Sequence, residues 1–242
     1  MEKTLVIIPT YNEIENIEAI TRKVFSLALP FNILIVDDGS PDGTADKIKS
    51  LQSEFPDRLY LEQRKGKLGL GTAYIHGFKY AIKNGYQFVC EMDADFSHNP
   101  EDLTRLYEAC AIEGNDLAIG SRYVNGVTVI NWPIERVLMS YFASKYVQFI
   151  TGLPIKDTTA GFKCYRIKVL ETIELNSIKF VGYAFQIQLK FLAWKYGFKL
   201  IEVPIIFTDR KLGVSKMSGS IFKEAFFGVI SMRLKSIFKQ YN

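Results

Sequence analysis

Two apolar runs in this chain end in carboxylates. In "VCEMDADFSHNPEDL", Val89 and Cys90 lead into Glu91, Asp93 and Asp95; in "NILIVDDGS", Asp37 and Asp38 close the run. Side chains alternate along extended backbone, so Asp93 and Asp95 share one side. Such a pair either lies in a solvated turn or holds a hard cation such as Mg2+ or Mn2+. Cations of that kind take oxygen ligands and are commonly shared with phosphate groups. Glu91 points the same way if the strand is unbroken, either supporting the pair or standing exposed. A carboxylate in Asp37-Asp38-Gly39-Ser40 suits a ribose or base, as acids at strand ends do in dinucleotide folds. The plainer reading is a capped turn, with Asp42 placed to cap the next helix. Pro9-Thr10-Tyr11-Asn12-Glu13 adds an aromatic face and another acid.

The basic groups point to anions. Arg122 ends a strand-like run, and Arg136, Ser140, Ser144 and Gln148 recur every four residues on an otherwise apolar helix. That spacing makes a narrow polar stripe, which either meets water or takes a phosphate head group with an apolar tail beside it. Arg210, Lys211 and Lys216 lie in a glycine-containing stretch suited to closing over a diphosphate, or to plain solvation. Of two histidines, His76 reads as structural and His98 as a neighbour of the acidic motif. No Ser/His/Asp or Cys/His constellation is present. Gly66, Gly69 and Gly71 in "RKGKLGLGTAY" lack phosphate-loop spacing.

These groups need a scaffold, and the apolar pattern supplies one. "TLVIIP", "NILIVDD", "DRLYLEQ", "YQFVCEM" and "NDLAIGSR" read as strands. Helical patterns over residues 14–27, 42–54, 71–83 and 100–112 separate them. Such alternation implies a parallel sheet covered on both faces, with ligands beyond the carboxyl ends of the strands. After Arg122 come a long helix over 132–152, a strand over 161–166, a helix over 182–196, an extended "FKLIEVPIIF", a polar loop over 209–220 and an amphipathic helix over 221–241. With 242 residues, 48% hydrophobic, this is one folded α/β unit rather than a disordered chain. A net charge of +4 is too small to imply nucleic acid, but the basic residues of the last segment suit anionic membranes. Cys90, Cys110 and Cys164 show no CxxC spacing, and the opening residues carry no cleavage pattern, which reads as a cytoplasmic protein with free thiols. The most apolar stretch, Val137 to Leu153, is interrupted by Lys145 and Gln148 and falls short of the roughly 18–20 residues of a spanning helix.

Taken in order, "IIPTYNE", "IVDDGSPDGT", "KLGLGTAYIHGF", "MDADFSHNPE", "GSRY", "WPIERVLMS", "DTTAGFKCY", "GYAFQIQ" and "RKLGVSKM" resemble the inverting family-two glycosyltransferases, and more narrowly the dolichol-phosphate or polyprenol-phosphate mannose synthases. The resemblance covers nearly the whole chain. It implies a GT-A-type α/β fold with a central, mostly parallel sheet and amphipathic interface helices. Residues 1–217 would form the catalytic domain, including the helix at 132–152 on the acceptor side, and residues 218–242 an amphipathic C-terminal helix. It also implies roles. Pro9, Tyr11, Glu13, Val36 and Asp38 would hold the nucleoside. Asp93, Ala94 and Asp95 would form the metal-binding DxD motif, with Asp95 the principal ligand to Mg2+ or Mn2+. Arg122, Arg136 and Ser140 would take the acceptor phosphate, and Arg210 and Lys216 the donor diphosphate. Asp95, Arg122 and Arg210 would carry the catalysis. Two positions depart from the pattern: Ser97 stands where relatives often have Gln, and Gln188 where an acid is common.

The implied reaction moves mannose from GDP-mannose to a polyprenyl phosphate with inversion, at the inner, cytoplasmic face of a membrane, with or without a separate membrane-anchored subunit. A UDP-sugar transferase of the same fold and a non-catalytic sugar-nucleotide-binding protein are the alternatives. The composition agrees with the transferase. A phosphate nucleophile is already anionic, so few histidines are needed. Preorganised positive charge is what the reaction demands. A hydroxyl acceptor would instead need a general base, for which the Asp157 region is the one candidate.

Overall fold

The structure is a computed structural model that describes residues 2–178, 180, 182–209, 219–238 and 241. Its elements are β1 (Thr4–Thr10), α1 (Ile17–Phe25), β2 (Asn32–Asp37), α2 (Thr44–Gln52), β3 (Leu59–Gln63), α3 (Leu70–Lys83), β4 (Phe88–Glu91), α4 (Asp102–Ala111), β5 (Leu117–Ser121), β6 (Val129–Ile130), α5 (Ile134–Thr151), β7 (Lys163–Arg166), α6 (Ile167–Thr172), α7 (Tyr183–Lys195), β8 (Leu200–Pro204), β9 (Phe207–Thr208) and α8 (Gly219–Phe238). The main sheet has the order β3-β2-β1-β4-β7-β5-β8, and β6 pairs with β9 in a small second sheet. All pairs in the main sheet are parallel except those of β7 with β4 and β5. The α/β, mostly parallel GT-A-type architecture expected from the sequence is the architecture observed.

Alternation explains the layers. In β1, Leu5 and Ile7 join one apolar cluster and Val6 and Ile8 another; β2 divides the same way, Leu34 and Val36 against Ile33 and Ile35. Strands buried on both faces therefore read as unbroken apolar runs. Helix α3 lies on the first face, closely enough that a Cβ on Gly77 would sit 2.7 Å from Ile7 Cδ1. Helices α1, α2 and α4 cover the second. A third cluster joins Val147 of α5, Ile187 and Phe191 of α7, and Val229 and Met232 of α8.

The sequence pattern located β7 but not its direction. Because it enters antiparallel, it sets Lys163 opposite Glu91 and Cys164 opposite Cys90. All three cysteines are free and buried, and Cys110 Sγ lies 3.3 Å from the Cys164 carbonyl.

Candidate active site

The carboxyl ends of β2, β1 and β4 are adjacent, and those of β5 and β8 open on the same edge. At the end of β2 the two aspartates act differently. Asp37 ties its own turn: Oδ1 accepts from Thr10 Oγ1 (2.9 Å) and Ser40 Oγ (2.5 Å), and Oδ2 accepts the Ser40 amide (3.0 Å). Asp38 accepts from Arg64 Nε at 2.6 Å and from the Leu68 amide at 3.1 Å. Arg64 also donates to Thr72 Oγ1 and the Gly69 carbonyl. The two loops approach so closely that a Cβ on Gly39, whose φ is +70°, would be 3.3 Å from the Gly66 amide nitrogen. Arg64 was absent from the sequence candidates. Its signal was its place directly after β3, next to β2 in the sheet.

The residues after β1 complete this edge. Pro9 pairs in register with the fully buried Val36. Lys67 Nζ lies 5.0 Å above the Tyr11 ring. The Glu13 amide donates to Thr44 Oγ1 (3.0 Å), and Glu13 Oε2 accepts from Asn16 (3.2 Å). The N-cap of α2 is Gly43 rather than Asp42; Asp42 accepts from the Thr44 amide (3.0 Å) and the Ile14 amide (3.1 Å), binding the β1 loop to the start of α2.

After β4, Asp95 is buried, with Oδ1 accepting from the Ser97 amide (3.1 Å) and Ser97 Oγ (2.6 Å). Between them Phe96 adopts φ +58°, a left-handed conformation costing a non-glycine residue roughly 1–2 kcal/mol. Asp93 is more open, its side chain 41% exposed, and its amide donates to His98 Nδ1 at 3.3 Å. His98 is stacked on Phe162, and burial, opposed by the negative charge of Asp95 and reinforced by the positive charge of Arg122, pushes its pKa down to about 4. The ring is neutral at neutral pH, accepting at Nδ1 and carrying its proton on Nε2.

Glu91 is not exposed. It is fully buried against Lys163 Nζ (3.1 Å), Tyr165 OH (2.8 Å) and Gln186 Nε2 (2.7 Å), and Lys163 also bonds Gln186. The antiparallel entry of β7 makes this cluster, which underlies the Asp93-Asp95 turn. Sequence spacing carried no hint of it.

On the other half of the edge, Arg122 is clamped by Asp157. Its amide, Nε and Nη2 donate to the carboxylate at 3.0, 2.7 and 2.6 Å, and Nη2 reaches Thr159 Oγ1 at 2.8 Å. Burial alone would raise the Asp157 carboxyl, but the charge and hydrogen bonds of Arg122 outweigh it and hold the pKa below the usual range. Asp157 is thereby the fixed counter-ion of Arg122.

Arg136 donates from Nη1 to Asp209 at 2.9 Å and lies 4.1 Å from the Trp132 ring centroid, while Arg122 is 5.5 Å from the same ring. This indole between two guanidinium groups escaped the sequence reading. Ser140 Oγ accepts from Tyr123 OH (2.8 Å), Ser144 is buried, and Gln148 Nε2 donates to the Ile155 carbonyl (2.6 Å). The polar stripe of α5 thus faces the protein. Apart from Val147, which packs inward, several of its apolar residues face outward: Ile134, Leu138, Met139, Phe142 and Phe149 are exposed, Phe149 to 87%. On α8, Val229 and Met232 pack inward while Phe226, Phe227, Leu234 and Ile237 are exposed. Both helices thus carry exposed apolar side chains beside the ones that pack inward. Arg210 and Lys216 lie outside the described residues.

A cavity of about 500 Å³ joins Asp93 to the arginine half, while Pro9, Tyr11, Glu13, Val36, Asp38, Ala94 and Asp95 lie outside its lining. It starts at Asp93 and His98, passes Arg122, Arg136 and Ser140, and ends among Phe142, Tyr146, Phe226 and Val229. One end offers carboxylate oxygens, the middle guanidinium groups, and the far end apolar surface. Asp93 and Asp95 are a hard-oxygen donor pair. Among the described residues no group of three or more His, Cys, Asp and Glu forms a closed metal cage. The pair fits Mg2+ or Mn2+ held jointly with phosphate oxygens and water. Among the described residues no helix is long and apolar enough to cross a membrane.

The profile of Glycosyl transferase family 2 matches residues 5–174. A polyprenol monophosphomannose synthase of Mycolicibacterium smegmatis is 51% identical over 94% of this chain and 86% of its own. An undecaprenyl-phosphate mannosyltransferase of Micrococcus luteus is 43% identical over 94% and 92%. For a longer dolichol-phosphate mannosyltransferase of Pyrococcus furiosus the identity is 41%, over 92% of this chain and 61% of that one. Among solved structures, glucosyl-3-phosphoglycerate synthase from Mycobacterium tuberculosis with Mn2+, UDP and glucosyl-3-phosphoglycerate superposes with TM-score 0.66 at 16% identity, over 97% of this chain and 80% of that one. A mannosyltransferase from Pyrobaculum calidifontis with GDP-Man and Mn2+ gives TM-score 0.59 at 16% identity, over 98% and 74%. At these identities the two structures speak for the fold. The profile spans well over half of the sequence, and the chain belongs to glycosyl transferase family 2, as a glycosyltransferase.

Proposed function

We propose that this enzyme transfers mannose from GDP-mannose to a polyprenyl phosphate with inversion, giving polyprenyl phosphate mannose. The observation that carries the reading is the single cavity running from Asp93 past Arg122 and Arg136 to the apolar space between α5 and α8. The names of the relatives support the mannose and the lipid phosphate. In this reading Pro9, Tyr11, Glu13, Val36 and Asp38 form the nucleoside edge, with Arg64 fixing the Asp38 carboxylate. Asp93, Ala94 and Asp95 make the turn that receives the donor diphosphate and its divalent cation. When bound, that cation neutralises charge on the departing diphosphate. Arg122, Arg136 and Ser140 hold the acceptor phosphate, and Arg210 and Lys216 are assigned to the donor diphosphate.

The reaction forms a bond from a phosphate oxygen of the acceptor to the anomeric carbon and breaks the bond from that carbon to the β-phosphate of GDP. No proton need be removed from the nucleophile, which agrees with a neutral His98 and an Asp157 locked to Arg122. The protein's contribution is to orient two anions that repel each other, using fixed charges in a site shielded from water.

Residues 1–217 act as the catalytic body, and residues 218–242, which include α8, as the surface-binding segment. The outward apolar faces of α5 and α8 support peripheral binding in the membrane interface. Each large apolar side chain removed from water contributes roughly 1.5–3 kcal/mol. Buried free thiols fit the cytoplasmic face. A separate membrane subunit is not required by this arrangement. The test is a matrix of GDP-mannose and UDP-glucose against a short polyprenyl phosphate and the matching polyprenol, with Mg2+ or Mn2+. Transfer confined to GDP-mannose with the phosphate is expected. Preference for UDP-glucose, or for the alcohol, overturns the assignment.

A further inference from the structure

The proposed reaction fixes where the mannose ring must lie. Its anomeric carbon is bonded first to the donor diphosphate and then to the acceptor phosphate, so the ring sits between the Asp93 and Arg122 parts of the cavity. A continuous wall runs between them. At one side the Asp93 amide donates to His98 Nδ1 (3.3 Å), and at the other Arg122 Nη2 donates to Thr159 Oγ1 (2.8 Å). Thr159, Ala160 and Gly161 line the cavity here, together with Gln186 of α7.

Gly161 opens this wall. A Cβ on it would lie 3.7 Å from Gln186 Nε2 and 3.8 Å from His98 Cε1, so both side chains border the same small space. Those are ordinary contact distances, and Gly161 is not in the left-handed region, so neither packing nor backbone conformation requires a glycine. The neighbouring backbone is pinned: Lys190 Nζ donates to the Ala160 carbonyl (2.5 Å) and the Gly120 amide to the Phe162 carbonyl (2.9 Å). Gln186 is fixed as well. Its Nε2 donates to Glu91 Oε2 (2.7 Å), and its Oε1 accepts from Lys163. Turning the amide over would set its oxygen against a buried carboxylate, so one orientation is held. The amide nitrogen carries two hydrogens, and Glu91 takes one of them.

We propose that Gly161 is the floor of the donor-sugar subsite and that Gln186 is a specificity-determining residue in it, its second amide hydrogen donating to a sugar hydroxyl. His98 forms the wall opposite. This rests on the reading of the donor as GDP-mannose. The glycine leaves room for the ring. Glu91, itself held by Lys163 and Tyr165, aims the amide before the donor arrives. A hydrogen bond preset in this way rejects a sugar that lacks the hydroxyl, because the buried amide is then left short of a partner.

Calorimetric binding of GDP and of GDP-mannose to the full chain, each with Mn2+, tests this, because the two ligands share the nucleoside and differ in the sugar. Gly161→Ala puts one methyl group in the ring's space. The Kd of GDP should stay within about twofold, while that of GDP-mannose rises about tenfold or more, the scale of overpacking by one methyl. The acceptor KM at saturating GDP-mannose should hold. Gln186→Met should weaken GDP-mannose about three- to tenfold, the scale of one hydrogen bond, again with GDP unchanged. Among GDP-mannose analogues lacking one hydroxyl each, one should lose the same factor on the parent and nothing further on Gln186→Met. If Gly161→Ala binds GDP-mannose as the parent does, loses GDP equally, or raises only the acceptor KM, the sugar lies elsewhere and the proposal falls. If Gln186→Met weakens GDP and GDP-mannose alike, Gln186 only supports its neighbours and its specificity role falls. A parent that prefers UDP-glucose to GDP-mannose overturns the donor reading instead. Melting temperatures of both variants separate these outcomes from loss of fold.

Discussion

At the end of β2, Asp38 meets Arg64, 26 residues along the chain; at the end of β5, Arg122 meets Asp157, 35 residues along, and Arg136 meets Asp209 across 73. One half of the sheet edge is built from acids steadied by a cation. The other is built from cations steadied by acids. Both halves carry their counter-charges before any ligand arrives, which lets a fold tolerate buried charge. They differ in how tightly the counter-charge is held. The Arg64–Asp38 and Arg122–Asp157 pairs are no more than 10% exposed, whereas Arg136–Asp209 is nearly 30% exposed on both sides. Arg136 of the more exposed pair stands on α5, whose outward residues include Leu138, Met139 and Phe142.

The contrast can be broken from either half. On the acid half, Asp95→Asn should reduce transfer by about 10²–10³-fold, the scale of losing one preorganised electrostatic contact at a reacting centre. Its melting temperature should stay near that of the parent; retained turnover, or full activity in excess chelator, removes the metal role. On the arginine half, Asp157→Ala should act on stability first, costing about 3–5 kcal/mol because it strands a buried guanidinium. Denaturant unfolding measures this. The pH dependence follows in sign. The folded Asp157 pKa lies below its unfolded value of about 3.9, so its contribution is fully present above that pH and is lost as pH falls through the folded value. Asp157→Asn should therefore show a shallower loss of stability below about pH 4 than the parent does.

Smaller effects probe the outer wall. Replacing both Phe149 and Phe227 by Asp removes two exposed apolar side chains that do not line the cavity. Flotation with anionic liposomes should fall by at least about tenfold, from roughly 1.5–3 kcal/mol per side chain. Turnover on a short soluble acceptor should hold. Smallest is Trp132→Leu, which removes the ring between Arg122 and Arg136. A cation–π contact is worth about 0.5–2 kcal/mol, so the acceptor KM should rise severalfold while the GDP-mannose KM stays put. An equal change in both would place Trp132 outside the acceptor's reach.

The same contrast accounts for what the sequence made legible. On the acid half each residue follows a buried apolar run directly, so Asp38, Asp93 and Asp95 announce themselves by position and the parallel sheet gathers them. Arg64 was within reach of the same logic, one residue past β3. On the arginine half Arg122 and the Arg136–Ser140 stripe were visible, and Trp132 stands only four residues before Arg136, but the partners Asp157 and Asp209 come from separate loops that only the tertiary fold unites. The direction of the α5 stripe was ambiguous for a physical reason: spacing gives a helix two faces and does not say which one meets water. For Glu91 the sequence left support of the acidic pair and exposure both open, because a strand's neighbours decide its burial and the antiparallel entry of β7 has no local signature. It brings Lys163 to Glu91 from 72 positions later in the sequence, as their register pairing records.

The central claim is that one cavity receives the acceptor with its phosphate at the arginines and its tail between α5 and α8. A polyprenyl phosphate with a photoreactive group on its first isoprene unit tests it most directly, read by peptide mapping after irradiation. The account predicts labelling on the α5 and α8 residues that line the cavity, Met139, Phe142, Tyr146 and Phe226 among them, suppressed by unlabelled polyprenyl phosphate and not by polyprenol. Labelling elsewhere on the protein, or labelling that polyprenol suppresses equally well, would contradict it.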